Sequence, residues 1–400
     1  MSSSSMLIGD RRRAALERAE SIRRHPTRRP VSRPATPPPP AFYVLSALVA
    51  VFVLLGLVMV MSATSISQFH QGHSPWRLFN RQLLWASFGV VGLWAGLKVP
   101  LRVWRKLVTP ALGLAYVLML LPFVPAVGIQ VNGARSWVAV GSLSFQPSEF
   151  LKLAVLLYCA NLLAKRRAEM HDPHRTLVPV LVVAVIAAGL CLLQGDLGSA
   201  IVLGAIVFVV AFIAGAPLFP MTIGGIGGAG GAAMFVLSSP RRVDRFTAFA
   251  DIAANKDHLS YQTYQAMIAM AQGGIRGEGV GRGANKLGEF LPLAHSDFIF
   301  AVIAEELGMV GVVAVLGGFM VLAYSGIQVA LATTHDPFGQ LVAGGIVSWL
   351  AVQALINVGG VTGMMPVTGL TLPFFSAGGS SLFVTMAAAG LLLNVARNVR

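Results

Sequence analysis

Charge is the first thing this chain has little of. Asp, Glu, Lys and Arg make up 12% of its 400 residues, against about 25% in soluble domains. That scarcity excludes a string of water-soluble domains and a charge-rich disordered chain alike. Cysteine is nearly absent. Cys159 and Cys191 are the only two. Both lie inside apolar runs, so they read as small core residues, and no disulfide framework exists to staple a fold. Also missing are G-x-x-x-x-G-K-[ST], H-E-x-x-H, D-x-D and any Cys/His cluster, so nothing calls for a nucleotide cradle or a metal centre. What is abundant is hydrocarbon. Hydrophobic residues are 55% of the chain, and the mean hydropathy is +0.72. Most of the chain cannot face water, which leaves an all-α polytopic membrane protein.

About 20 apolar residues span a bilayer as a helix. Ten stretches qualify: 41–62, 82–98, 106–124, 148–164, 177–193, 197–214, 218–238, 298–324, 338–361 and 379–396. The net charge of +14 would suit nucleic acid, but its distribution points to membrane orientation instead. With the N-terminus inside, the inner segments hold 19 of the 30 Lys and Arg, and the short outer loops hold only Arg77, Arg81 and Arg135. The positive-inside rule then places both termini in the cytoplasm and a large loop, 239–297, outside between spans seven and eight. Residues 1–40, with nine Arg and seven prolines, read as a disordered basic cytoplasmic tail. The apolar run from Ala41 is too long for the apolar core of a signal peptide and is expected to be retained.

On this topology the unusual polar residues crowd the outer face. Glu149 and Lys152, three apart at the start of the fourth span, share a helix face. They form either a mutually neutralised pair or the wall of a wet cavity, with Lys152 facing an anion. Arg135, near Trp137, could clamp a phosphate or snorkel to lipid headgroups. Asp196 sits in a tight turn, where a helix N-cap needs no further function. In loop 239–297 an amphipathic helix near 260–272 precedes a stretch rich in glycine from Gly273 to Gly288. Arg276, Arg282 and Lys286 are interleaved there, a pattern suited to a diphosphate or to anionic headgroups. Asp297 stands at the mouth of the eighth span, either as its N-cap or as a carboxylate tuned by partial burial for general base work.

Several strings together resemble one family. They are Gln146-Pro-Ser-Glu149 with Lys152, Asp196-Leu-Gly198, Tyr261-Gln262, Leu291-Pro292, His295-Ser-Asp297-Phe-Ile-Phe-Ala, Glu305-Glu-Leu-Gly308, and Pro366-Val-Thr-Gly-Leu-Thr-Leu-Pro373 followed by Ser376-Ala-Gly-Gly-Ser-Ser381. In order over roughly 42–396, they resemble the SEDS family of shape, elongation, division and sporulation polymerases. Gly56-Leu-Val-Met-Val-Met-Ser-Ala63 leans toward the division branch. The resemblance implies a ten-span fold that polymerises lipid II, a disaccharide peptide on undecaprenyl diphosphate, on the outer face of the cytoplasmic membrane at the septum. It implies a class B penicillin-binding protein transpeptidase and other division proteins as partners, and no cofactor. A divalent cation has no signature in the sequence. The family's essential aspartate falls on Asp297 and its Glu/Lys pair on Glu149 and Lys152. Asp196, Gln262, His295 and Ser376 fall in the matched motifs as substrate-binding candidates. Gly195, Leu293, Ser296 and Ala377 depart from the family's usual residues.

Chain growth of this kind needs one base for the attacking hydroxyl and cations for the leaving diphosphate. It does not need the two carboxylates of a glycosidase. Asp297 supplies the first, and Lys152, Arg135 and Lys286 are candidates for the second. A lipid II flippase is the competing reading, although transporters place their polar groups near the midplane of repeated halves. A non-catalytic division scaffold would explain the basic tail but not Asp297.

Overall fold

The computed structural model describes residues 37–399 except 71, 132, 142, 257–259 and 284–290. The predicted tail lies almost wholly outside the described residues, and so does Lys286. Each of the ten predicted stretches is a helix. They are α1 (Pro40–His70), α2 (Arg77–Lys98), α3 (Leu101–Leu120), α4 (Pro147–Lys165), α5 (Pro173–Leu193), α6 (Leu197–Ile213), α7 (Leu218–Leu237), α10 (Ile299–Ala332), α11 (Pro337–Val361) and α12 (Gly379–Asn398), with α8 (Pro240–Ala250) and α9 (Tyr261–Gly273) between α7 and α10. Eight of them are long and apolar enough to cross a membrane. The exceptions among the ten are α2, and α6 with its 17 residues.

α4, α11 and α12 are the most buried spans, and α7 is exposed along nearly all its length. That gradient suits a bundle whose centre is protein and whose rim is lipid. α1 and α10 run past their predicted ends because counting apolar residues stops where polar ones begin. Two of the polar residues beyond the predicted end of α1 are buried in protein: Thr64 and Gln68 are 1% and 8% exposed.

The prediction of an all-α chain needs one correction. Between α3 and α4 the chain forms a three-stranded antiparallel sheet, β1 (Gly128–Val131), β2 (Ala134–Val140) and β3 (Leu143–Phe145), in the order β1-β2-β3. Its local cause is visible in hindsight. Ser136 and Val138 alternate inward along β2. Asn-Gly and Gly-Ser dipeptides separate the strands, and Gly133 and Gly141 take φ of +85° and +62°, as two-residue hairpins require. Strands this short are hidden beside long apolar helices.

Residues 274–283, the described part of the glycine-rich segment after α9, are tightly folded. α10 is broken at Gly308, with φ 66° and ψ −162°, and the segment fills the break. Glu278 and Gly279 donate their backbone N–H groups to the carbonyls of Glu305 and Glu306, both 3.0 Å, and Met309 donates to Gly274 O at 2.9 Å. Backbone groups freed at membrane depth must be satisfied internally, and here the re-entrant segment does it. A Cβ on Gly308 would collide with Gly277 N, and one on Gly277 with Glu306 O. Gly308→Ala is therefore expected to unseat residues 273–283, because no flexible side chain stands in the way to yield. Limited proteolysis should then cut within 273–283 in the variant and spare the wild type.

Candidate active site

Asp196 and Asp297 both precede apolar helices, and the structure gives them opposite roles. Asp196 caps α6, accepting Ser199 N–H at 2.9 Å on Oδ1. Its Oδ2 accepts Gln146 Nε2 at 2.8 Å and the Ser148 hydroxyl at 3.1 Å. Its turn is closed by Gly195 N–H to Leu192 O and by Arg135 N–H from β2 to Gln194 O, both 2.9 Å. Gly195, where the resembled family usually has proline, sits at φ +81°, which proline could not adopt. The departure from the family's usual residue thus accompanies a left-handed, fully bonded turn.

Asp297 is no cap. α10 starts after Phe298 without any side-chain capping bond. The Asp297 carboxylate instead faces Gly369, whose Cβ, if it had one, would lie 3.6 Å from Oδ2. Gly369 takes φ +73° and keeps this space open. Burial pushes the Asp297 carboxyl up to about 6; the Ser296 side chain opposes the rise and the nearby Asp196 charge adds to it.

The segment from Thr368 to Thr371 lies between the two aspartates. On one side α6 packs on it, since a Cβ at Gly198 would lie 3.1 Å from Thr368 O. On the other side Asp297, Asn357, Val367, Thr368, Gly369 and Leu370 line a small crevice. Two latches fix the loop that carries Asp297. The Ser376 hydroxyl donates to Ser296 O at 2.6 Å and accepts Leu372 N–H at 2.8 Å. Ala377 N–H donates to His295 O at 2.8 Å. Ser376, predicted as substrate-binding, is 4% exposed and serves here as a fastener. Ala377 holds the C-terminal loop through its backbone. Burial, and then the charge of Arg81, keep His295 below its ordinary pKa, so it is neutral at pH 7.

Lys152 lies below this segment and is fully buried. Its ammonium sits 2.9 Å from each carboxylate oxygen of Glu149 and 2.9 Å from Gln353 Oε1. Gln353 also accepts Trp349 Nε1–H at 2.8 Å and donates to Thr371 O at 2.9 Å. The pair thus braces the segment beside Asp297 from within the bundle and reaches no surface. Arg135 is exposed on β2, close to the Asp196 turn. Gln262 is the second residue of α9, which packs beside Gly363; no hydrogen bond joins it to Asp297 among the described residues.

Sequence reasoning missed Gln353 and Asn357. With Trp349 they lie at intervals of four on α11, a polar stripe inside an otherwise apolar span. Such polar groups are rare at membrane depth and mark function. It also passed over Arg81, which is exposed, donates to Ser144 at 3.3 Å, and belongs to no ion pair among the described residues. Its neighbour Gln82 donates to Ser376 O at 3.1 Å, which places Arg81 beside the latch.

A multi-pass helical membrane protein with a raised-pKa carboxylate lining a crevice, set at the end of a long loop, is the class these observations define. The chain belongs to the FtsW/RodA/SpoVE family, described as cell cycle protein, whose model matches residues 42–400. It is 37% identical over 370 residues to a probable peptidoglycan glycosyltransferase FtsW of Mycobacterium tuberculosis, covering 92% of this chain and 69% of that protein. It is 37% identical over 356 residues to stage V sporulation protein E of Bacillus subtilis, covering 89% and 97%. Two solved structures are similar at 32% identity, each covering 89% of this chain and 97% of its own. One belongs to a study of how a peptidoglycan synthase complex coordinates polymerization and crosslinking, with a TM-score of 0.72. The other is the rod shape determining protein RodA of Thermus thermophilus, with a TM-score of 0.65.

Proposed function

We propose that this protein is a peptidoglycan glycosyltransferase that polymerises lipid II at the outer face of the cytoplasmic membrane. The observation that carries the mechanism is the Asp297 carboxylate, which caps no helix and opens on a crevice. The acceptor's 4-hydroxyl gives its proton to Asp297 while its oxygen bonds to the anomeric carbon of the donor sugar. The bond from that carbon to the lipid diphosphate breaks, and the diphosphate leaves with the electron pair. A base whose pKa lies just below the working pH is efficient, because it is ionised yet still basic. With Lys152 buried against Glu149, the exposed outer arginines Arg135 and Arg81 are the cations placed to meet the diphosphate.

The reading includes ten spans, with α2 and α6 completing the eight, and both termini inside on the positive-inside count. It places the enzyme at the septum, working beside a class B transpeptidase that crosslinks the strands it makes. The carbonyl and carboxylate groups of the site cluster at one end of the bundle, where a flippase would have them near its middle.

The test is turnover of fluorescent lipid II by purified protein across pH. The value of kcat/KM should rise about tenfold per pH unit below about 6 and level off above it, because the ionised form of Asp297 is the active one. A rate independent of pH between 5 and 8 would remove Asp297 as the base.

A further inference from the structure

We propose that Asn357 touches the substrate: its side-chain carbonyl accepts a hydrogen bond from the acceptor sugar, at a hydroxyl next to the one Asp297 deprotonates. The inference rests on the polymerase reading above.

Asn357 is 5% exposed and lines the crevice with Asp297. Its amide nitrogen donates to Asp297 O at 2.8 Å and to Leu370 O at 2.7 Å. Both partners are carbonyl oxygens, which can only accept. The orientation of the amide is therefore fixed by its surroundings, since the flipped form would set oxygen against oxygen. The Oδ1 atom points away from those partners and accepts no hydrogen bond among the described residues. An acceptor buried in the wall of a crevice and left unpaired is costly, and a donor entering that crevice would satisfy it. The fastening of the two loops uses only the nitrogen; it gives the oxygen nothing to do.

An acceptor-only group selects a donor. The acceptor sugar carries its nucleophilic 4-hydroxyl between the ring 3-hydroxyl and the 6-hydroxyl, and either neighbour can donate. Holding the reacting hydroxyl at Asp297 and a neighbour at Asn357 fixes the ring at two points. Rotation of the nucleophile away from the donor carbon is then suppressed, which is a direct gain in proximity and orientation. The same backbone carbonyl of Asp297 is gripped by the Asn357 nitrogen, so base and positioning group keep a constant spacing.

The experiment is a binding cycle in the inactive Asp297→Asn protein, so that no turnover is needed. Affinity is measured for lipid II and for its 3-deoxy and 6-deoxy analogues, with and without Asn357→Ala. With Asn357 present, one deoxy analogue should bind about fivefold more weakly than lipid II, the worth of one ordinary hydrogen bond. With Asn357→Ala that ratio should fall to about one. A purely structural asparagine would weaken all three ligands equally and leave the ratio unchanged, which would overturn the proposal. Two deoxy analogues that both bind like lipid II would overturn it as well. Asn357→Ser, which keeps one donor for the two loop carbonyls, replaces the alanine if that variant is not recovered folded. A protein that binds none of the three ligands would instead sink the polymerase reading itself.

Discussion

Asp297→Asn should be more stable than the wild type and nearly inactive. The folded protein holds the Asp297 proton up to about pH 6, whereas the isolated side chain releases it near 3.8. A raised carboxylate contributes stability below its unfolded pKa and loses it as pH rises through the folded one. Above pH 6 the ionised carboxylate therefore strains the fold, by about 3 kcal/mol at most. Asparagine carries no charge to desolvate and none to oppose Asp196. Its thermal midpoint should exceed that of the wild type by several degrees at pH 8, and the gain should vanish near pH 4. Over the same range the variant should lose at least about 10²-fold in polymerisation, the usual worth of a positioned base. A stabilised, dead enzyme is what a site that trades stability for function predicts. A variant destabilised at pH 8 would show that the carboxylate is a structural partner instead.

The second large effect concerns the buried pair. Lys152→Met leaves Glu149 with a carboxylate at 3% exposure and takes one donor from Gln353. Breaking such a pair from one side costs about 3–5 kcal/mol, because the remaining charge is uncompensated. Glu149→Gln together with Lys152→Met removes both charges and should recover most of that loss. Thermal unfolding in detergent of the two single variants and the double variant checks it. If the double variant is no more stable than Lys152→Met, the coupling is not electrostatic, and Lys152 supports the bundle through its contacts with Trp349 and Gln353.

All ten long helices were legible in the sequence because apolar length is a strong signal that survives without tertiary information. So was the presence of Asp297 at a helix mouth. The family resemblance singled out Asp297, but position before a helix did not by itself say which aspartate was spent. Asp196 and Asp297 look alike in sequence, each polar before an apolar run. Only the fold brings Gln146, Ser148 and Ser199 to the first and leaves Gly369 beside the second. Lys152 shows the converse. Its spacing from Glu149 allowed a wet cavity, but Gln353 and Trp349, some 200 positions on, close around it. The sheet at 128–145 escaped because its strands are three to seven residues long. The break in α10 is signalled by one glycine in an otherwise helical run, which period and hydropathy pass over.

Asp297 as the base of a lipid II polymerase is tested by the strands the enzyme makes. The most direct measurement compares glycan strands made from lipid II by purified wild-type and Asp297→Asn proteins at pH 8, each first shown to be folded and to bind lipid II. Long strands are expected from the wild type and none from the variant, with similar lipid II affinity in both. Strands from Asp297→Asn at a rate within about threefold of wild type, against the 10² or more expected of a base, would contradict it.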